Sequence, residues 1–194
     1  WQQRVTGGAS QWSIYANHYR ISTGTWATAE PIETGTAGDA VAPKVVVDAG
    51  GNGLAVWRQF DGAHADVWAN RYTASTTSWG TPTLLESDDT GNADAPRIAM
   101  DGDGNAIAVW SQKVFGWNSI LANRFTTSTG SWGTATLVET NDTSNAKFPE
   151  IAVDSTGNAM VVWREDTAPS RIASNRFNVG AGTWGTPALI DTGA

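Results

Sequence analysis

An all-β fold of repeated four-stranded antiparallel units is predicted by three observations. The segments Pro43-Lys-Val-Val-Val-Asp48, Pro96-Arg-Ile-Ala-Met-Asp101 and Pro149-Glu-Ile-Ala-Val-Asp154 superimpose at a spacing of 53 residues. Each leads through a Gly-Asn turn into a second apolar run, Leu-Ala-Val-Trp57, Ile-Ala-Val-Trp110 or Met-Val-Val-Trp163. Two further anchors keep the register: Asn70, Asn123 and Asn175, each followed by Arg and an aromatic residue, and Trp79, Trp132 and Trp184, each followed by Gly-Thr. A four-stranded unit recurring at about 50 residues is the mark of a β-propeller, in which each blade buries its faces against its neighbours.

Within a unit the strands follow from local chemistry. The first runs through Ile98-Ala-Met100 and stops at an Asp/Gly/Asn cluster that supplies the residues of a hairpin turn. Proline precedes it, at a position where a missing amide hydrogen is tolerated. The second strand is Ala106 to Trp110. The third, Ile120 to Phe125, alternates in period 2, and a Thr/Ser/Gly turn returns the chain to a fourth from Trp132 to Val138. Asn17 and Trp26 stand 53 residues before Asn70 and Trp79, so residues 1–40 are expected to supply only the third and fourth strands of a partial blade. Full blades are expected over 41–93, 94–146 and 147–194. About three and a half blades leave the strand around Ile14 to Tyr19 without an inner neighbour, an edge that invites self-association or pairing with further blades.

The hairpin Ile-Ala-Val-Asp154-x-x-Gly-Asn-Ala159 resembles the inner hairpin of NHL-type propellers, and the third and fourth strands with their Thr-Gly-Ser-Trp turn resemble Kelch-type blades. Over essentially its whole length the chain is similar to the tandem Asp-x-x-Gly-Asn-Ala-x-Ala-Val-Trp repeats of secreted bacterial propeller proteins. That resemblance implies the fold and an extracellular or cell-surface setting. It leaves function open, because such propellers serve as lectins, scaffolds and enzymes.

Composition narrows the function classes. Twelve basic against nineteen acidic residues give a net charge of −7, which disfavours a nucleic-acid surface. No apolar run is long enough to cross a bilayer, and the first 30 residues carry neither a basic nor an apolar signal region. The absence of cysteine excludes disulfides and thiolate chemistry, and two histidines make a histidine-rich metal site a poor expectation.

With the strands explained by packing, variable loops carry the candidate chemistry. Asn17, Asn70, Asn123 and Asn175 are expected to be buried and to bond turn backbone, and Arg71, Arg124 and Arg176 to stack on a tryptophan. Trp57, Trp110, Trp163 and Trp79, Trp132, Trp184 recur with the period and are packing residues. The loops at 2–11, 58–65, 111–118 and 164–170 share no pattern, and they place Trp12, Phe60, Asp61, His64, Phe115, Trp117, Arg164, Glu165 and Asp166 as candidate ligand contacts. Trp12 and Trp117 stand outside the packing series, and an exposed indole suits a sugar face or a partner's aliphatic side chain. Loops around Glu86, Glu139, Glu33 and Asp191 make the same face acidic. Asp101, Asp103 and Asn105 alternate like the start of a calcium loop, but lack its distal glutamate, and the equivalent turns lack the middle carboxylate. Turn chemistry without a cofactor is the expectation. Asp61, Asp66, Glu165 and Asp166 are carboxylates of the kind glycoside cleavage needs, yet the linear sequence does not pair them. The resulting expectation is a non-catalytic module that binds a glycan or a protein through these loops. The alternatives are a repeat array of an envelope, sheath or filament coat and, third, part of a propeller glycosidase or lyase.

Overall fold

A computed structural model describes residues 1–5, 11–34, 38–88, 91–114, 116–140 and 143–192. These residues form short strands and turns, with no helix among them, arranged as four successive antiparallel sheets, A to D, and a two-stranded ribbon of Tyr19–Arg20 and Thr25–Trp26 beside sheet A. No described helix is long and apolar enough to cross a membrane. Sheets B, C and D repeat one plan. First strands Ala40–Val47, Ala93–Met100 and Ala146–Val153 pair with second strands Gly53–Phe60, Ala106–Val114 and Ala159–Glu165, which pair in turn with Ala65–Thr73, Trp117–Thr126 and Arg171–Asn178.

The fourth strand departs from expectation. In sheet C it is two short pieces, Ser131–Trp132 and Thr136–Leu137, both paired to the third strand, and sheets B and D show the same division. The break is held in place: Gly133 N–H donates to the Arg124 carbonyl at 2.9 Å, while the Asn123 amide donates to the Gly133 carbonyl at 3.2 Å.

Sheet A contains more than the expected third and fourth strands. Gln2–Val5 pairs with Gln11–Ala16, with Gln2 opposite Ile14, as Arg58 stands opposite Val67 in sheet B. Trp1 therefore takes the place of Trp57, and its indole N–H reaches Gln3 Oε1 at 3.3 Å as that of Trp57 reaches Gln59 Oε1 at 2.9 Å. The strand around Ile14 is not an unpaired edge. A longer connection before the third strand shifts Trp1 off the 53-residue period, which hides it in the sequence.

Apolar faces meet between consecutive sheets. Trp57, Trp110 and Trp163 are buried to 2% exposure or less, and the largest cluster joins Val109, Ile120 and Val138 of sheet C to Val161, Trp163 and Phe177 of sheet D. Buried polar groups stitch these seams, since an unbonded amide there would be costly. The Nδ2 atoms of Asn70, Asn123 and Asn175 donate across to the carbonyls of Ile32, Leu85 and Val138, at 2.9, 2.9 and 2.7 Å. The side-chain oxygens of Asp39, Asn92 and Asn145 accept the N–H groups of Trp12, Ala65 and Asn118 in the preceding sheet at 2.8–2.9 Å. Arg71 crosses a seam too, but lies over Phe125 at 5.4 Å rather than over a tryptophan.

Candidate functional site

One chain of side chains recurs at the seams. Between sheets B and C, Trp110 Nε1 donates to Gln112 Oε1 at 2.9 Å, and Gln112 Nε2 donates to Glu86 Oε2 at 2.5 Å and to the Asp88 carbonyl. Glu86 Oε1 accepts the Val67 N–H at 2.6 Å, so an amide and a carboxylate satisfy each other inside the seam. Between sheets A and B, Gln59 and Glu33 stand in the same relation at 3.5 Å.

The seam between sheets C and D breaks this pattern at three neighbouring positions. Glu165 replaces the glutamine of Gln59 and Gln112, opposite the glutamate position now held by Glu139. Arg171 stands where Asp66 and Ser119 stand, and Ala173 where Trp68 and Leu121 stand. The small side chain leaves a cavity of about 420 Å³, whose walls include Glu139, Trp163, Glu165, Pro169, Arg171 and Ala173. Glu139 and Glu165 are 2% and 3% exposed. Both oxygens of Glu165 are oriented: Oε1 accepts the Trp163 indole N–H at 2.5 Å and Oε2 accepts the Ser144 hydroxyl at 2.7 Å. Arg171 is braced by Asp191, with Nε donating to Oδ1 at 2.7 Å and Nη2 to the main-chain oxygen at 2.8 Å. The bond from Arg171 holds the Asp191 carboxyl below the usual carboxylate range. Two buried carboxylates, a fixed guanidinium and a cavity thus share one place, an arrangement suited to proton transfer at a bond seated among them.

Of the candidate ligand contacts, only Glu165 lines this cavity. Trp12, Phe60 and Trp117 lie apart at the ends of their strands, 36–40% exposed, and Phe60 packs against Gly38, where a Cβ would come within 2.6 Å of its ring. Asp61 accepts the N–H groups of Ala63 and His64 at 2.7 and 2.8 Å. Those bonds lower its pKa and make it a turn residue. Phe115 lies outside the described residues.

Arg164 occupies the position from which Gln2, Arg58 and Ser111 bond the first strand of the following sheet. In sheet D its guanidinium bonds Asp166 at 2.7 Å and lies over Phe148 at 4.8 Å. Asp166 also pairs with Lys147 Nζ at 2.8 Å, and that bond holds its carboxyl below the ordinary range. The Asp101 carboxylate is taken up by its turn: Oδ1 accepts the N–H groups of Asp103 and Asn105, and Oδ2 accepts the Asn105 amide. Arg171 and Ala173 stand outside the candidates of the sequence, and Glu139 enters there only as part of an acidic loop, whereas it is 2% exposed. The signal of the first two is the departure of one unit from the other two at aligned positions.

No protein-family model matches the sequence, and no curated protein matches it. Solved structures do resemble the fold. A thermostable family-43 glycoside hydrolase is similar with a TM-score of 0.55 at 13% identity, over 99% of this chain and 70% of that one. A PL25 ulvan lyase gives 0.61 at 12% identity, over 95% and 50%. A glycosyl hydrolase from Bacteroides ovatus gives 0.53 at 14% identity, over 92% and 54%. The chain therefore spans about half the length of the last two. These likenesses stand against the expectation of a non-catalytic module and its repeat-array alternative: the three proteins that share the fold are named as two glycoside hydrolases and a lyase.

Proposed function

We propose that the chain contributes blades of an extracellular β-propeller enzyme that cleaves glycans, with the pocket between sheets C and D as its reaction site. In this reading residues 1–40 form a partial blade and 41–93, 94–146 and 147–194 full blades, related to the secreted bacterial propeller repeats that the sequence resembles. The observation that carries it is the exchange of an amide for a carboxylate at Glu165, opposite Glu139, where a cavity opens. Cleavage of a glycosidic bond asks for two carboxyl groups, one to protonate the leaving oxygen and one to activate water or attack the sugar. Glu165, oriented by Trp163 and Ser144, and Glu139 take these roles. Support comes from fold likeness to proteins named as glycoside hydrolases and a lyase.

The test is reducing-end release from a panel of polysaccharides by the wild type and Glu165→Gln, with the ultraviolet absorbance of unsaturated products read in parallel. Glutamine is the resident at positions 59 and 112, so the variant keeps the fold. Loss of a proton-transfer group is expected to lower turnover by about a hundredfold or more. Unchanged turnover in Glu165→Gln removes the assignment.

A further inference from the structure

The pocket at the seam between sheets C and D also indicates what it selects, an inference that rests on the glycan-cleaving reading above. The position of Ala173 is filled by Tyr15, Trp68 and Leu121 in the three preceding sheets. Leu121 is 7% exposed and belongs to the cluster that closes the seam between sheets B and C around Trp110. At the seam between C and D, Trp163 and Val138 remain, but the side chain that would fill the space beside them is reduced to a methyl group. A void lined by apolar atoms alone costs stability without return. This one is bordered by charged groups, at a volume within the roughly 300–1,000 Å³ usual for small-molecule sites.

Carboxylates outnumber cations in the lining. Glu139 and Glu165 face one guanidinium, that of Arg171, and two bonds to Asp191, outside the lining, balance its charge. An acidic sugar entering here would bring a further carboxylate or sulfate beside Glu139 and Glu165, and the one cation among the lining residues, Arg171, is already bonded to Asp191. Elimination at a uronate needs the opposite arrangement, a cationic or strongly donating group on the sugar carboxylate.

We propose that Ala173 is the specificity-determining residue of this pocket: its small size admits a sugar unit of the chain being cleaved, and the surrounding carboxylates restrict that unit to sugars without negative charge. The reaction at the site is accordingly hydrolysis rather than elimination.

The experiment compares wild type, Ala173→Leu and Ala173→Val on neutral xylo- and gluco-oligosaccharides and on oligogalacturonates, reading KM, kcat and thermal melting. Leucine is the resident of the aligned position in sheet C, so Ala173→Leu is expected to melt at or above the wild-type temperature while kcat/KM on the neutral probe falls about tenfold or more. Ala173→Val falls between the two, which keeps the size series readable if the leucine variant fails to fold. Wild-type kcat/KM retained in both variants overturns the role of Ala173 while leaving the carboxylate assignment standing. Preference for oligogalacturonates, with unsaturated products, overturns the charge selection. Turnover of none of these probes by the wild type overturns this inference, and the polysaccharide panel with Glu165→Gln then decides separately whether the broader reading survives.

Discussion

The asparagine that precedes arginine in the third strands of sheets B, C and D is a buried side chain whose amide is spent on main chain, whereas Asn17 beside sheet A, expected to be alike, precedes His18 and is only half-buried. Asn123 Nδ2 donates both to the Leu85 carbonyl of the preceding sheet and to the Gly133 carbonyl where its own fourth strand breaks. Deleting it strands two buried acceptors, and each unsatisfied buried group costs about 1–3 kcal/mol. Asn123→Ala is therefore expected to lower unfolding free energy by at least that amount in urea titration, with Asn123→Asp no better because a carboxylate cannot donate. A loss within error of zero would show that the seams are held by apolar contact alone. Glu165 shows the opposite use of a repeated site. There the same series position carries glutamine at 59 and 112, and the change of one amide to a carboxylate falls in the wall of a cavity of about 420 Å³.

Strand by strand, the apolar runs, turn residues and 53-residue register were sufficient to place the first three strands of sheets B to D. What escaped was non-periodic or lay across a seam. The strand Gln2–Val5 was hidden because its residue Gln2 stands 12 positions before its partner Ile14, whereas the aligned pairs Arg58 with Val67, Ser111 with Ile120 and Arg164 with Ile172 are nine, nine and eight apart. The fourth strands looked continuous because the bonds dividing them come from Asn70, Asn123 and Asn175, ten residues away. Arg164 and Asp166 looked like loop chemistry because the sequence does not show that Lys147 and Arg164 stand opposite each other on paired strands, with Asp166 bonded to both. That pairing also fixes a pH dependence. The Asp166 carboxyl is held low chiefly by the Lys147 bond and further by Arg164, so its stabilisation is complete above the carboxyl's unfolded value, near 3.9, and is lost as pH falls through the lower folded value. The melting temperature of wild type is expected to exceed that of Asp166→Asn by a constant margin from neutral pH down to about 4, and the margin should shrink below it. A margin that widens in acid would contradict this tie between the two strands.

Across the whole molecule each sheet is stabilised by its neighbours, as in repeat proteins whose stability is a sum of unit and interface contributions. Sheet C is covered on both faces: Ile107 and Ile120, toward sheet D, are 3% and 0% exposed, and Trp110 and Leu121, toward sheet B, are 0% and 7%. At the aligned positions of sheet D, Met160 and Ile172 are 46% and 39% exposed, and its other face borders the cavity beside Ala173. Local opening should follow this difference, because protection against exchange tracks the apolar contact that must be broken to expose an amide. Hydrogen exchange at neutral pH is therefore expected to be slowest in Ala106–Val114 and Trp117–Thr126 and measurably faster in Ala159–Glu165 and Arg171–Asn178. Filling the cavity with Ala173→Leu should slow exchange in sheet D and leave sheet B unchanged, since B and D do not share that seam. Equal protection of C and D in the wild type would mean that the molecule opens only as a whole, and that the seam beside Ala173 is no weaker than the filled seam beside Leu121.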